Sequence, residues 1–350
     1  MNAMSKTFSK LQIQTLAEQI IELQYSQQAA LWKPYDPDGR AKSIRDAGYH
    51  LTYLAEAMSA AEPALFVEYL AWAKILFQGL KFRDDILLTT LGYTRQVLSK
   101  ALEPDLAQIA LEFIDIGAKS LESINAAPES FLAPNLPLAD LAQNFLHTLL
   151  MGNRRTATQM ILNAVEQGTP VKDIYLNIFQ PSQREIGRLW QTNQISVAQE
   201  HFCTATTQAI MSQLYPYIFN GSKKDRRMVV ACVGGELHEI GARMVADFCE
   251  MEGWDTYFLG ANTPYQSILS AVSERRAEVL AISATMTFHV SEVTSLIAVA
   301  RANTSTTHTH ILVGGYPFNL SPGLWERVGA DGYAPDAQTA LVEADKVWQA

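Results

Sequence analysis

The chain has 350 residues, 48% of them apolar and 18% charged, and a formal net charge of −9 at pH 7. Such a composition is globular rather than disordered, and the length suits two or three domains. The acidic balance disfavours nucleic acid, whose phosphates need a basic face, so direct DNA binding is not expected.

No apolar run is long enough to span a bilayer, and the N-terminus is polar where a signal peptide needs an apolar core, which reads as a cytoplasmic protein. Cys203, Cys232 and Cys249 have no ligand spacing and are odd in number, which argues against disulfides and against zinc.

From the N-terminus, residues 1–124 read as a helical domain. Leu11 to Leu23, Ile44 to Ala60, Ala64 to Gln78, Asp84 to Ser99 and Leu106 to Leu121 carry apolar residues at spacings of three and four, punctuated at Pro34 to Gly39 and at Glu62-Pro63. Residues 1–130 hold 12 Lys/Arg against 16 Asp/Glu, which argues against a basic recognition helix. Asn125 to Pro137 has three prolines and reads as a linker.

Residues 138–219 form a second helical region. Within it, Trp190 closes one helix, and Ser196 followed by Gln199 reads as a capping-box start for the next, so Trp190, Glu200 and His201 can face one space. Spacing alone favours the other reading, a core Trp beside a surface Glu-His pair.

Residues 226–350 alternate strand and helix patterns. The strands are expected at Met228 to Val233, Thr256 to Leu259, Val279 to Ser283, Ile311 to Val313 and Asp331 to Tyr333. The alternation predicts a doubly wound, five-stranded parallel sheet of flavodoxin-like order, with ligands bound at the carboxyl ends of its strands. His238 follows the first strand. Glu236, two residues earlier, can take one ring nitrogen and leave the other as a lone-pair donor for a metal.

The run Glu236-x-His238-x-x-Gly241 closely resembles the Asp-x-His-x-x-Gly of cobalamin-binding domains, in which the His replaces the cofactor's own base beneath cobalt. Ser283 and Gly314-Gly315 fall where that family surrounds the buried nucleotide tail. Glu236 stands for the usual Asp, and Thr285 stands where Leu is usual. Residues 138–219 resemble the four-helix cap of such proteins. Trp190, nine residues, then Glu200-His201 is similar to light-sensing adenosylcobalamin photoreceptors, where these groups surround the adenosyl moiety.

The resemblance implies a cobalamin photoreceptor, not an enzyme, whose output is a change of conformation or homo-oligomeric assembly when light breaks the Co–C bond. Gln191 stands where photoreceptor repressors have a cobalt-capturing His; capture by His201 is an open alternative. Residues 50–57, 63–66 and 69–72 look similar to the helical extension of photocobilins, which implies a bilin such as biliverdin, held without a covalent link. Its cleft would be formed by His50, Tyr53, Tyr49, Tyr69 and Trp72, with Arg45 or Arg83 for carboxylates; a plain aromatic core is the other reading. Alternatives of function are a corrinoid carrier for methyl transfer and a flavodoxin-like domain without cobalamin. An isomerase would need a substrate barrel of about 250 residues, for which the helical residues upstream of the sheet leave no room.

Overall fold

A computed structural model describes residue 8 and residues 10–28, 37–124, 128–219 and 222–348. Residues 34–36 of the expected break, 125–127 of the linker, and Asn220 with Gly221 of the hinge before the sheet lie outside the described residues.

Among the described residues, five helices come first: α1 Lys10–Gln27, α2 Pro37–Ser59, α3 Pro63–Gly79, α4 Ile86–Ala101 and α5 Pro104–Leu121. The expected break before α2 is shorter than the sequence suggests, because the helix starts at Pro37 and takes Asp38 and Gly39 into its first turn. Proline loses nothing there, since its missing N–H would have had no partner in the helix. The same logic starts α3 and α5.

The next helices are α6 Ala139–Leu150, α7 Arg154–Glu166 and α8 Val171–Ile174, which runs through a π-helical turn at Tyr175–Phe179 into α9 Gln180–Gln191. α10 Val197–Gln213 and the short α11 Tyr215–Ile218 complete the group. Ser196 starts α10 with both bonds of a capping box, its hydroxyl accepting from Gln199 N–H and the Gln199 side chain accepting from Ser196 N–H.

The last part runs β1 Arg227–Cys232, α12 Ile240–Met251, β2 Asp255–Phe258, α13 Tyr265–Arg275, β3 Val279–Ser283, a 3-10 turn at Thr287–His289, α14 Val290–Ala302 and β4 His310–Gly314. α15 Tyr316–Leu320, α16 Leu324–Arg327, β5 Gly332–Ala334 and α17 Ala337–Asp345 follow. All pairings are parallel and the order is β2-β1-β3-β4-β5, the flavodoxin-like order expected from the alternation.

The two-residue period of β1 divides the core. Val229, Ala231 and Val233 pack with α13, α14 and the N-terminal helices in one continuous apolar cluster, which also holds Leu51, Leu54, Phe66 and Leu70. Met228, Val230 and Cys232 face α12 on the other side. The helices from α6 to α11 have their own core around Phe145, Tyr175 and Phe179, which reaches α12 through Met244 and Phe248. The N-terminal helices and the four-helix cap therefore lie against the helices of opposite faces of the sheet. Among the described residues, no helix is long and apolar enough to cross a membrane.

Candidate functional site

The register of the sheet lines up the motif positions. Cys232 of β1 pairs with Ser283 of β3, and Ser283 pairs with Gly314 of β4, so three strands end in one row and their loops share the carboxyl edge. Gly315 has φ +105°, and a Cβ there would lie 2.0 Å from the Ala284 carbonyl oxygen. Only glycine lets these two loops approach so closely.

Glu236 is the hub of that edge. Its side chain is fully buried, and one oxygen accepts from the backbone N–H of His238 at 2.9 Å and from His238 Nδ1 at 2.6 Å. The other oxygen accepts from the N–H of Thr285 at 2.7 Å, the N–H of Met286 at 2.9 Å and His289 Nδ1 at 3.0 Å. Burial works to raise the Glu236 pKa, yet the bonds from both imidazoles and the backbone outweigh it and hold the carboxyl far below the ordinary range. An ionised carboxylate only accepts, so Nδ1 of His238 carries the proton and Nε2 is left with its lone pair. The His238 side chain is 59% exposed, which leaves that lone pair able to meet a ligand. The hydrogen bond to Glu236 raises the His238 pKa against the opposing effect of burial, and the charge of Glu200 adds to the rise.

The sequence reading missed His289. It sits 51 residues beyond His238 in a turn after another strand, and only the closure of the sheet brings both imidazoles to one carboxylate. Thr285 takes part through its backbone N–H, so a residue other than Leu is no obstacle to that bond.

Helix α10 reaches the carboxyl edge. Gln208 of α10 donates to Glu239 at 2.6 Å, and Arg243 of α12 donates to the Gln208 carbonyl at 3.0 Å. Glu200, nearer the start of α10, is close enough for its charge to bear on His238. The three upper-face candidates are not equivalent. Glu200 pairs with His201, whose ring is 75% exposed, and it also accepts from the Thr204 hydroxyl at 2.9 Å. Trp190 lies against Trp72 of α3, with ring centroids 5.9 Å apart. Buried Gln191 donates to the Trp72 carbonyl at 3.1 Å, and Asn193 donates to the Gly79 carbonyl at 3.2 Å.

Three of the residues expected to line a second cleft, His50, Tyr53 and Tyr69, are buried and packed together. His50 Nδ1 lies 2.6 Å from the Tyr69 hydroxyl, and Tyr53 stacks on Tyr69 at 3.7 Å. Burial lowers the His50 pKa to about 4. Tyr49 is exposed, and Arg83 is engaged by Asp85 at 2.5 Å. His50, Tyr53 and Tyr69 thus belong to a plain core, whereas Tyr49 lies outside it and Trp72 packs at its border against Trp190.

The donor set suits a metal that needs one protein nitrogen and brings its other ligands with it, as cobalt does in a corrin ring. Gly234 and Gly241 face open space, since a Cβ on either would meet nothing within 4 Å.

Residues 226–342 match the family described as B12 binding domain, and residues 141–215 match a second family of the same description. Dimethylamine corrinoid protein 3 of Methanosarcina acetivorans is 21% identical over 215 residues, covering 60% of this chain and 99% of that protein. Dimethylamine corrinoid protein of Methanosarcina barkeri is 27% identical over 140 residues, covering 40% of this chain and 64% of that protein. The solved structure of the Methanosarcina barkeri monomethylamine corrinoid protein shares the fold with a TM-score of 0.53 at 20% identity, covering 60% of this chain and all of that one.

Proposed function

We propose that this chain, a cobalamin-binding protein by its two B12 binding domains, is a light sensor rather than a mobile carrier. His238 would supply a nitrogen to the cobalt, oriented by Glu236. Ser283, Thr285, Gly314 and Gly315 would border the nucleotide tail, with Gly241 in the first turn of α12 beside it. Trp190, Glu200 and His201 form the upper face. Bound adenosylcobalamin supplies a cobalt–carbon bond that visible light breaks.

One observation carries this reading: α9, which leads into α10, is braced from the side by α3 of the same chain. Trp72 packs on Trp190, Gln191 is tied to the Trp72 carbonyl, and Asn193 is tied to Gly79. A carrier must bare its upper face to each enzyme it serves, whereas a sensor needs that face coupled to something that reads it. With Gln191 committed to the brace, it is not free to turn toward the cofactor.

A second reading, a corrinoid carrier for methyl transfer, is favoured by the relatives, which are named as corrinoid proteins. Loading the protein with adenosylcobalamin in darkness, and recording absorbance and elution volume before and after green light, separates the two. The sensor requires a changed spectrum together with a changed assembly, and a preference for adenosyl- over methylcobalamin. Equal affinity for both forms with coincident elution profiles overturns it in favour of the carrier. A bilin as second chromophore would require Tyr53 and Tyr69 to part; titration with biliverdin must then give a sharpened, red-shifted band.

A further inference from the structure

The lower-ligand network does not end at His289. The turn that carries this residue is held from outside by α2, which belongs to the part of the chain beyond both family matches. Tyr53 of α2 meets Phe288 edge-on, with ring centroids 5.1 Å apart and the planes at 88°. One helical turn further on, Glu56 accepts a short hydrogen bond from the backbone N–H of Ser291. That N–H belongs to the first turn of α14, where the helix provides no acceptor of its own, and a carboxylate there also meets the positive end of the helix dipole.

His289, locked between these contacts, lies directly on the ligand loop. Gly235 has φ +85°, and a Cβ at that position would stand 3.0 Å from His289 Nε2. On its other side, the ring gives Nδ1 to Glu236 at 3.0 Å. Glu236 in turn fixes both the backbone and the ring of His238. A continuous line of contacts therefore runs from α2 through the 287–291 turn to the imidazole.

We propose that Glu56 and Tyr53 are positioning residues for the lower axial ligand, acting through the His289 turn and Glu236, so that docking of the N-terminal helices sets how His238 meets cobalt. The proposal rests on His238 being that ligand. It extends the reading above from the upper face, which α3 braces, to the lower face, which α2 governs. Burial raises the Glu56 pKa to about 7 against the lowering effect of the Ser291 bonds, consistent with a carboxyl enclosed between two elements rather than one on a solvated helix face.

The test uses the full chain loaded with cob(II)inamide, which lacks the nucleotide base, so that in electron paramagnetic resonance only a protein nitrogen can split the cobalt lines into triplets. Wild type is expected to show the triplets, and His238→Ala to lose them. Glu56→Ala and His289→Ala should each reduce the fraction of molecules showing triplets several-fold, while Glu56→Gln, which keeps an acceptor oxygen for Ser291, restores it. Glu56→Asp, whose shorter arm cannot reach Ser291, gives a second disruptive variant should Glu56→Ala fail to fold, with circular dichroism as the check. Wild-type triplets in the Glu56 and His289 variants, alongside loss in His238→Ala, would overturn the positioning role alone. Absence of triplets in wild type would overturn the ligand assignment and this proposal with it.

Discussion

Single atoms decide much at the carboxyl edge of the sheet. At Gly315 a methyl group would stand 2.0 Å from the Ala284 carbonyl, on a backbone at φ +105°, so Gly315→Ala must separate the β3 and β4 loops. It should cost at least about 2 kcal/mol, seen as a lowered midpoint in denaturant unfolding. Glu236 accepts five hydrogen bonds that an amide cannot all satisfy, because one of its two ends would face donors with donors. Glu236→Gln should weaken cobalamin binding by roughly 10- to 100-fold in a spectrophotometric titration. His50 gives a pH signature of opposite origin. Its pKa falls from 6.5 to about 4 on folding, so its contribution is complete above pH 6.5 and is lost as pH falls through 4. Between those limits wild type should lose up to about 3 kcal/mol more than His50→Gln, read as melting temperature against pH. The Glu236–His238 pair was legible in the sequence because its partners are two residues apart, and a carboxylate beside an imidazole has few other uses in a loop after a strand. His289 was not, since nothing local distinguishes it from any His in a turn.

At the scale of elements, what was legible was what is local. The strand order follows from alternation of β and α patterns, and the start of α10 follows from Ser196 and Gln199, which form both bonds of the box. Ser196→Ala should therefore cost about 1 kcal/mol of stability in the helix that carries Glu200 and His201, measured by chemical denaturation. The attachment of the N-terminal helices was not legible. Glu56 and Glu68 look like solvated acidic residues on helix faces and Glu62 like part of a break between helices, whereas their partners Ser291, Tyr316 and Arg327 lie 235, 248 and 265 residues away. Trp72 and Trp190 are similarly remote in sequence, and each alone reads as a core residue. Trp72→Ala should loosen the end of α9 without touching the sheet. Hydrogen exchange should then quicken at residues 189–196 and stay unchanged in β1 and β3.

The molecule as a whole is stitched more tightly than a string of domains. One apolar cluster contains Leu51, Leu54, Phe66 and Leu70 of the N-terminal helices together with Val229, Leu280, Ile282, Val290 and Leu296 of the sheet and its covering helix. Separating the two parts would bare a broad apolar face on each, so calorimetry of the full chain should show α1 to α5 and the sheet melting in one transition. A chain beginning after residue 124 should aggregate where the full chain does not, as light scattering would show. Within this assembly α3 has a mechanical consequence. Its 17 residues make a rod of about 25 Å. Just before its first turn, Glu62 holds Arg327 at 2.5 Å and Ser321 at 2.6 Å on the sheet side. At its far end Gly79 is pressed so closely on the Thr192 backbone that a Cβ would come within 2.8 Å of it. A stiff rod pinned at both ends behaves as a gauge block: it fixes the clearance between the edge of the sheet and the helices above it. A guest too thick or too thin for that clearance is opposed along the length of the rod, and the gap can change only if one end lets go.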